Sequence, residues 1–383
     1  LSHFSNLPLK RMEGRVVEAL RLGCYQMLFL DKIPHSAAVN TCVELTRKHC
    51  KNPRAAGMVN GILRSLERNL EHLPAIPQTD PVSYLSTLYS HPEWLVEEFL
   101  TALGSEESAK LLSANNGRPP ITAMANTTKI SVEELADCLA EEGVQIQHHP
   151  WLADCLILSK TGGLEGLTAF QKGLFYIQDP ASKLAVLALD PGPEMKVLDC
   201  CAAPGGKSFA CAIQMGGRGE VLSCDLHPHK KKLIQAGADR LGLRNISPMT
   251  ADGKLFRPEW EGAFDRVLVD APCSGLGVIR KKPDIRYKDP VPLAGLPQVQ
   301  SAILDNAARY VKPGGVLVYS TCTLLRRENE DVVLDFLSHH PEFEAEGFRL
   351  PEYVGDARGG MFTLWPHRQG TDGFFICKLR RER

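Results

Sequence analysis

The stretch KVLDCCAAPGGK, residues 196–207, joins an apolar run to a Gly-rich turn. The run predicts a strand. Pro204, Gly205 and Gly206 predict a turn where backbone can approach a ligand closely, and KSFACAIQM then starts a helix. The same rhythm continues from residue 166 onward. GEVLSCD, NISPMTAD, FDRVLVDA and GVLVYST read as strands, with FFICKL as a last one. ASKLAVLAL, HKKKLIQAGADRLG, LPQVQSAILDNAARYV and ENEDVVLDFLSHH read as helices. Repeated β-α-β order implies a Rossmann-like α/β fold, a mostly parallel sheet covered by helices on both faces.

Upstream the pattern differs. RVVEALRLGCYQMLFL, HSAAVNTCVELTRK and AAGMVNGILRSLERNL carry apolar residues at helical spacing, with Pro34 and Pro53 at the junctions. HLPAIPQTDPVS, residues 72–83, is Pro-rich and reads as a linker. HPEWLVEEFLTAL and SEESAKLLSANN predict two more helices, and CLILSK a strand. Ser131 and Glu134 form a capping box before another helix, SVEELADCLAEEGV. Three domains are expected: all-helical 1–78, small α/β 79–165, and the larger α/β 166–383. A length of 383 residues is too great for one ordinary core.

The net charge of −1 gives no global field for a polyanion, so nucleic acid would be met by local patches. Lys230, Lys231 and Lys232 make one. Arg280, Lys281, Lys282, Arg286 and Lys288 make another, close behind Cys273. The chain starts at Leu1 with no signal-peptide pattern, and no run of 18 apolar residues occurs. The twelve cysteines are scattered and form no CxxC pair, so neither a disulfide scaffold nor a metal site is expected. Reduced cytoplasmic thiols, no membrane association and a monomer are the expectations.

In open α/β sheets, ligands bind beyond the carboxyl ends of the strands. The expected strand ends there carry Asp225, Asp252, Asp270 followed by Cys273, and Thr321 followed by Cys322. Asp225 lies 20 residues after Gly205, the place of an acid that holds a ribose. A nicotinamide cofactor carries a pyrophosphate, which three acids would repel. A cationic, ribose-bearing ligand fits better. S-adenosylmethionine has a sulfonium, an amino group and a ribose, with Asp252 expected near its adenine.

Each of the two thiols follows a strand instead of lying inside one. A thiolate would have a use beside such a cofactor. Carbon C5 of a pyrimidine is a poor nucleophile, and a thiolate added at C6 makes it enamine-like. That scheme needs one attacking Cys, an acid on the base edge such as Asp270, and help with release. The target base must be flipped or unpaired to enter. Lys207 and Arg280 are candidate cations for the thiolate, and the helix from about Asn329 is too far along the chain to be invoked. Spacing alone leaves open which Cys attacks.

The motifs QDPAS (178–182), LDCCAAPGGK (198–207), DAPCSGLGVIRKKPDI (270–285), KPGGVLVYSTCT (312–323), EN (328–329) and DGFF (372–375) resemble those of the RNA cytosine-C5 methyltransferases. Within these, the chain resembles the Sun or Fmu family of ribosomal RNA small-subunit methyltransferases. The resemblance covers nearly the whole chain, with a NusB-like helical domain at its start. It implies methyl transfer from S-adenosylmethionine to a cytosine of small-subunit ribosomal RNA. Cys322 is then the nucleophile, Cys273 assists release, and Asp270 orients the base. Cys201, Ala202, Ala203, Pro204, Gly205, Gly206, Lys207, Asp225, Asp252 and Asp270 match the cofactor positions. Arg280, Lys281 and Lys282 match a segment near the RNA substrate. The NusB-like part is short, so its first helices are expected to be absent. AMANTT (123–128) lacks the Arg before the family's Asn, and Cys200 stands where an aliphatic residue is usual. The alternatives are the same reaction on transfer RNA, and an RNA-binding assembly factor without catalysis.

Overall fold

Amphipathic periodicity builds the N-terminal unit, Leu1–Asp80, in a computed structural model that describes residues 1–382. Helices α1 (Gly14–Phe29), α2 (His35–His49) and α3 (Ala55–Glu67) each bury one stripe. In α1 the stripe is Val16, Ala19, Leu20, Gly23 and Met27, one face of a 3.6-residue helix. It meets Val39, Cys42, Val59, Leu63 and Leu66 in a single apolar cluster.

The second unit starts at Pro81. Helix α4 (Pro81–Tyr89) leads to α5 (Glu93–Asn115), which is broken at Gly104, where φ is +76°. The break separates the two helices expected there. An antiparallel sheet follows, built from β1 (Ile121–Ala125), β2 (Gln145–His148), β3 (Cys155–Ser159) and β4 (Phe175–Ile177) in the order β2-β3-β1-β4. Helix α6 (Val132–Glu141) starts on the expected capping box: Ser131 Oγ accepts the Glu134 N–H, and Glu134 Oε2 accepts the Ser131 N–H. A short helix α7 (Thr168–Gln171) precedes β4. Helix α4 and strands β1, β2 and β4 were not anticipated. QIQH is polar and mostly exposed, and FYI has three residues, so neither carries an alternating pattern.

Next come α8 (Pro180–Leu189), β5 (Lys196–Asp199), α9 (Gly206–Gln214), β6 (Glu220–Asp225), α10 (Pro228–Leu241), β7 (Ile246–Thr250) and β8 (Phe264–Asp270). After short α11 (Pro290–Leu293) follow α12 (Leu296–Ala308), β9 (Val311–Thr321) and α13 (Glu330–His339). The chain then forms β10 (Phe343–Ala345), the small pair β11 (Phe348–Arg349) and β12 (Asp356–Ala357), β13 (Met361–Leu364), short α14 (Pro366–Gln369) and β14 (Phe374–Arg381). The main sheet runs β10-β14-β9-β8-β5-β6-β7, with β13 on β14. Strands β5 to β9 pair in parallel, and β14 returns antiparallel to β9.

Two-sided burial explains the near-continuous apolar strands. Val197, Leu268, Val316 and Val318 face α8, α9 and α10. Leu198, Val267, Val269, Leu317 and Tyr319 face α12 and α13. One expectation shifts: β7 ends at Thr250, so Asp252 lies in the loop beyond the strand. Among the described residues, no helix is long and apolar enough to cross a membrane.

Candidate active site

The loop between β5 and α9 is held by backbone. Cys200 N–H bonds Leu268 O, Ala202 N–H bonds Cys224 O, and Gly205 N–H bonds Ala202 O. Gly205 has φ +114°, and a Cβ there would lie 2.4 Å from the Phe209 ring, so only glycine fits. Beside this loop is a cavity of about 370 Å³. Its wall includes Cys201, Ala203, Asp225, Asp252, Asp270, Cys273 and Cys322. Seven of the residues expected at the site therefore line one cavity. Ala202 and Lys207 are buried behind the wall, and Cys200 packs in the core as expected.

Each acid is fixed differently. Asp225 accepts the His227 N–H at 3.2 Å and lies 3.5 Å from Lys230 Nζ. Asp252 accepts the Lys254 N–H at 3.0 Å. Asp270 accepts the Ser320 hydroxyl at 2.9 Å through one oxygen and Lys207 Nζ at 2.7 Å through the other. Lys207 also sits 5.0 Å from the centre of the Phe374 ring. Burial pulls the Lys207 ammonium down, but the charge and hydrogen bond of Asp270 outweigh it and the net shift is upward.

Cys273 Sγ and Cys322 Sγ are 3.4 Å apart although 49 residues separate them. The two thiols are shifted in opposite directions. The hydrogen bond from Cys273 lowers the Cys322 thiol, against burial and the charge of Asp270, with Lys207 assisting. The same bond raises Cys273, and burial adds to it. Every other cysteine with a resolved shift is raised, Cys224 to about 12. A thiolate is the nucleophilic form, and of the two thiols Cys322 is the one shifted toward it.

Backbone and hydroxyls lock the two cysteine loops together. Gly277 N–H bonds Cys322 O, and Gly373 N–H bonds Gly277 O. A Cβ on Gly277 would fall 1.9 Å from Gly373 O. Ser274 Oγ and Thr323 Oγ1 are 2.7 Å apart. Asn329 bonds both Thr321 Oγ1 and Thr323 O, so the residue just before α13 grips both flanks of Cys322. Its distance along the chain concealed this.

The basic segment 280–288 is mostly occupied within the protein. Lys281 Nζ donates to Asp179 at 2.6 Å and to Asp372 at 2.7 Å. Arg280 Nε donates to Asp372 at 3.4 Å, and its side chain is 8% exposed. Arg286 bonds Ser90 O and Asn116 Oδ1, and Lys288 bonds Ser274 O. Lys282 alone of the five is exposed with no side-chain partner among the described residues. Of the two candidate cations, Lys207 acts on Cys322, while Arg280 is committed to Asp179 and Asp372. Burial and the charge of Asp179 push Asp372 up to about 6. The sequence reading gave Asp179 and Asp372 no role. QDPAS and DGFF marked the positions, but only the fold shows that they meet.

Residues 186–380 match the family model described as 16S rRNA methyltransferase RsmB/F. A relative from Bacillus subtilis, "Probable ribosomal RNA small subunit methyltransferase B", is 44% identical over all of this chain and 86% of its own length. The chain belongs to the RsmB/F family of 16S rRNA methyltransferases. Residues 91–165 match the RsmF/B-like ferredoxin-like domain, and residues 1–68 match the NusB family. A Klebsiella pneumoniae relative named ribosomal RNA small subunit methyltransferase B is 32% identical over 98% of this chain and 84% of its own. The crystal structure of PH0851 superposes with a TM-score of 0.81 at 29% identity, over 100% of this chain and 85% of that one. NSun6 from Pyrococcus horikoshii, solved with SFG, shares the fold at 23% identity, with a TM-score of 0.68 over 77% of this chain and all of its own. An RsmB/F protein is a methyltransferase, and S-adenosylmethionine is its methyl donor. The cavity suits that donor chemically: Ala203, Ala251 and Gly253 line it with small side chains, and three carboxylates, Asp225, Asp252 and Asp270, would face a cationic group.

Proposed function

We propose that this protein methylates C5 of a cytosine in small-subunit ribosomal RNA through a covalent bond between Cys322 and C6. The observation that carries the reading is the uneven thiol pair: two cysteines 3.4 Å apart on adjacent strand ends, with Cys322 lowered and Cys273 raised. Family membership supports the ribosomal substrate.

Bound S-adenosylmethionine would supply an electrophilic methyl group on a sulfonium. Loop 201–207 would hold it, with Asp225 on the ribose hydroxyls and Asp252 near the adenine. Asp270 would accept hydrogen bonds from the cytosine edge, fixed in place by Lys207 and Ser320. The Cys322 thiolate would add to C6 and push electron density to C5. C5 would take the methyl group, and transfer of its proton to a solvent water would then let the C5–C6 double bond re-form. Cleavage of the Cys322–C6 bond would restore the aromatic ring. Cys273, holding the shared proton, would return it to the Cys322 sulfur as it leaves. Lys282 is the member of the basic segment free for an RNA phosphate, while Arg280 and Lys281 would shape the wall behind it. The twelve cysteines are all free thiols, which supports a reducing cytoplasmic location.

The test uses labelled S-adenosylmethionine with small-subunit RNA and with transfer RNA. Cys322→Ala should transfer no methyl group. Cys273→Ala should accumulate a covalent protein–RNA adduct that survives denaturing gels. Swapped phenotypes would reverse the two roles, and methylation of transfer RNA alone would overturn the substrate.

A further inference from the structure

We propose that Glu328, acting with Gln300, is the positioning residue that holds Cys273 against Cys322. The inference rests on the reading of Cys273 as the release thiol. Glu328 Oε2 accepts the Ser274 N–H at 2.9 Å and Gln300 Nε2 at 2.9 Å. Gln300 Nε2 also donates to Pro272 O at 3.0 Å. One side-chain pair thus grips the backbone immediately before and immediately after Cys273. Glu328, Gln300 and Ser274 have no solvent exposure, so water does not compete for these bonds.

The grip extends to the second thiol. Ser274, held by Glu328, meets Thr323 at 2.7 Å, and Thr323 is the residue after Cys322. Tyr319 donates its hydroxyl to Glu328 O at 2.6 Å, tying Glu328 to β9. Glu328 therefore stands between the two loops that carry the sulfurs. Among the described residues it has no cationic partner, and its Oε1 accepts no hydrogen bond. A buried carboxylate without a counter-ion is costly, and a purely structural peg would be better served by an amide.

Its charge also acts on one thiol more than the other. The Cys322 hydrogen bond and burial raise Cys273 first, and the charges of Cys322, Glu328 and Asp270 add to this. Cys322 is faced by Cys273, Asp270, Lys207 and Asp372. Glu328 thereby helps keep the shared proton on Cys273, where release requires it.

The test compares the ratio of covalent adduct to methylated RNA in wild type, Cys273→Ala, Glu328→Ala, Glu328→Gln and Gln300→Ala. Loss of folded protein lowers adduct and product together and leaves the ratio unchanged. Glu328→Ala and Gln300→Ala should raise it about tenfold or more, the scale of a misplaced proton donor. Glu328→Gln keeps an acceptor for the Ser274 N–H and should recover part of the release rate. If Glu328→Ala does not fold, Gln300→Ala carries the test, since it removes two of the three bonds. A wild-type ratio in these variants, beside adduct in Cys273→Ala, overturns the positioning role. No adduct in Cys273→Ala overturns the underlying reading of Cys273 instead.

Discussion

Asp199 ends β5 with no solvent exposure, and burial pushes its carboxyl up to about 7. The Ser208 hydroxyl opposes the shift by donating to it at 2.7 Å, and the charge of Asp270 adds to it. The unfolded carboxyl loses its proton near pH ~4. Between these two values the folded state binds more protons, so stability falls as pH rises through this window. Asp199→Asn should remove that loss. Thermal melts should show the variant gaining on wild type at pH 8 and little at pH 4; equal differences at both would refute the burial argument. Asp225 and Asp270 were legible because each ends an apolar run, whereas Asp199 was not singled out. Asp179, Asp372 and Glu328 were not, because their partners lie 102, 91 and 54 residues away. No local pattern signals such a pairing.

Helices α4 and α5 pack directly on the two cysteine loops. Leu95, Phe99, Leu111 and Leu112 share one apolar cluster with Leu276 and Ile279 after Cys273, and with Leu324 and Leu325 after Cys322. Arg286 pins this arrangement through Ser90 O and Asn116 Oδ1, while Arg327 pairs with Glu98. Arg286→Ala loses charge-assisted bonds at a site 6% exposed and should cost about 2–4 kcal/mol. Chemical denaturation measures the loss, and limited proteolysis should then cut within residues 81–116. The amphipathic pattern showed the two halves of α5 but not α4. It did not show which surface receives them. The basic segment likewise read as an RNA contact, and the fold assigns four of its five charges to internal partners.

At the scale of the molecule, each unit owns its core. The apolar cluster of the first unit draws only on residues 1–70, and the clusters of the second lie wholly beyond residue 81. A fragment beginning at Pro81 should therefore fold cooperatively and bind S-adenosylmethionine within about threefold of the full chain's affinity, under 1 kcal/mol. Calorimetric titration checks this, and loss of binding would show that the helical unit supports the cofactor site. Within the second unit, Arg280→Ala should cost about 3–5 kcal/mol, because it strips a buried pair of carboxylates of one cation. Guanidine melts read that change.

By itself the sequence determined the alternation of strands and helices, the Gly-rich turn at 204–206, and the acids and thiols at the strand ends. These are local properties: apolar period, turn chemistry and position after a strand are written within a few neighbouring residues. Only the tertiary structure decided that the Cys322 thiol is lowered and Cys273 raised, that Lys207 is bonded to Asp270, and that Arg280 and Lys281 are already paired. Proton sharing and ion pairing depend on distance and burial, and both are set by contacts between segments far apart in the chain.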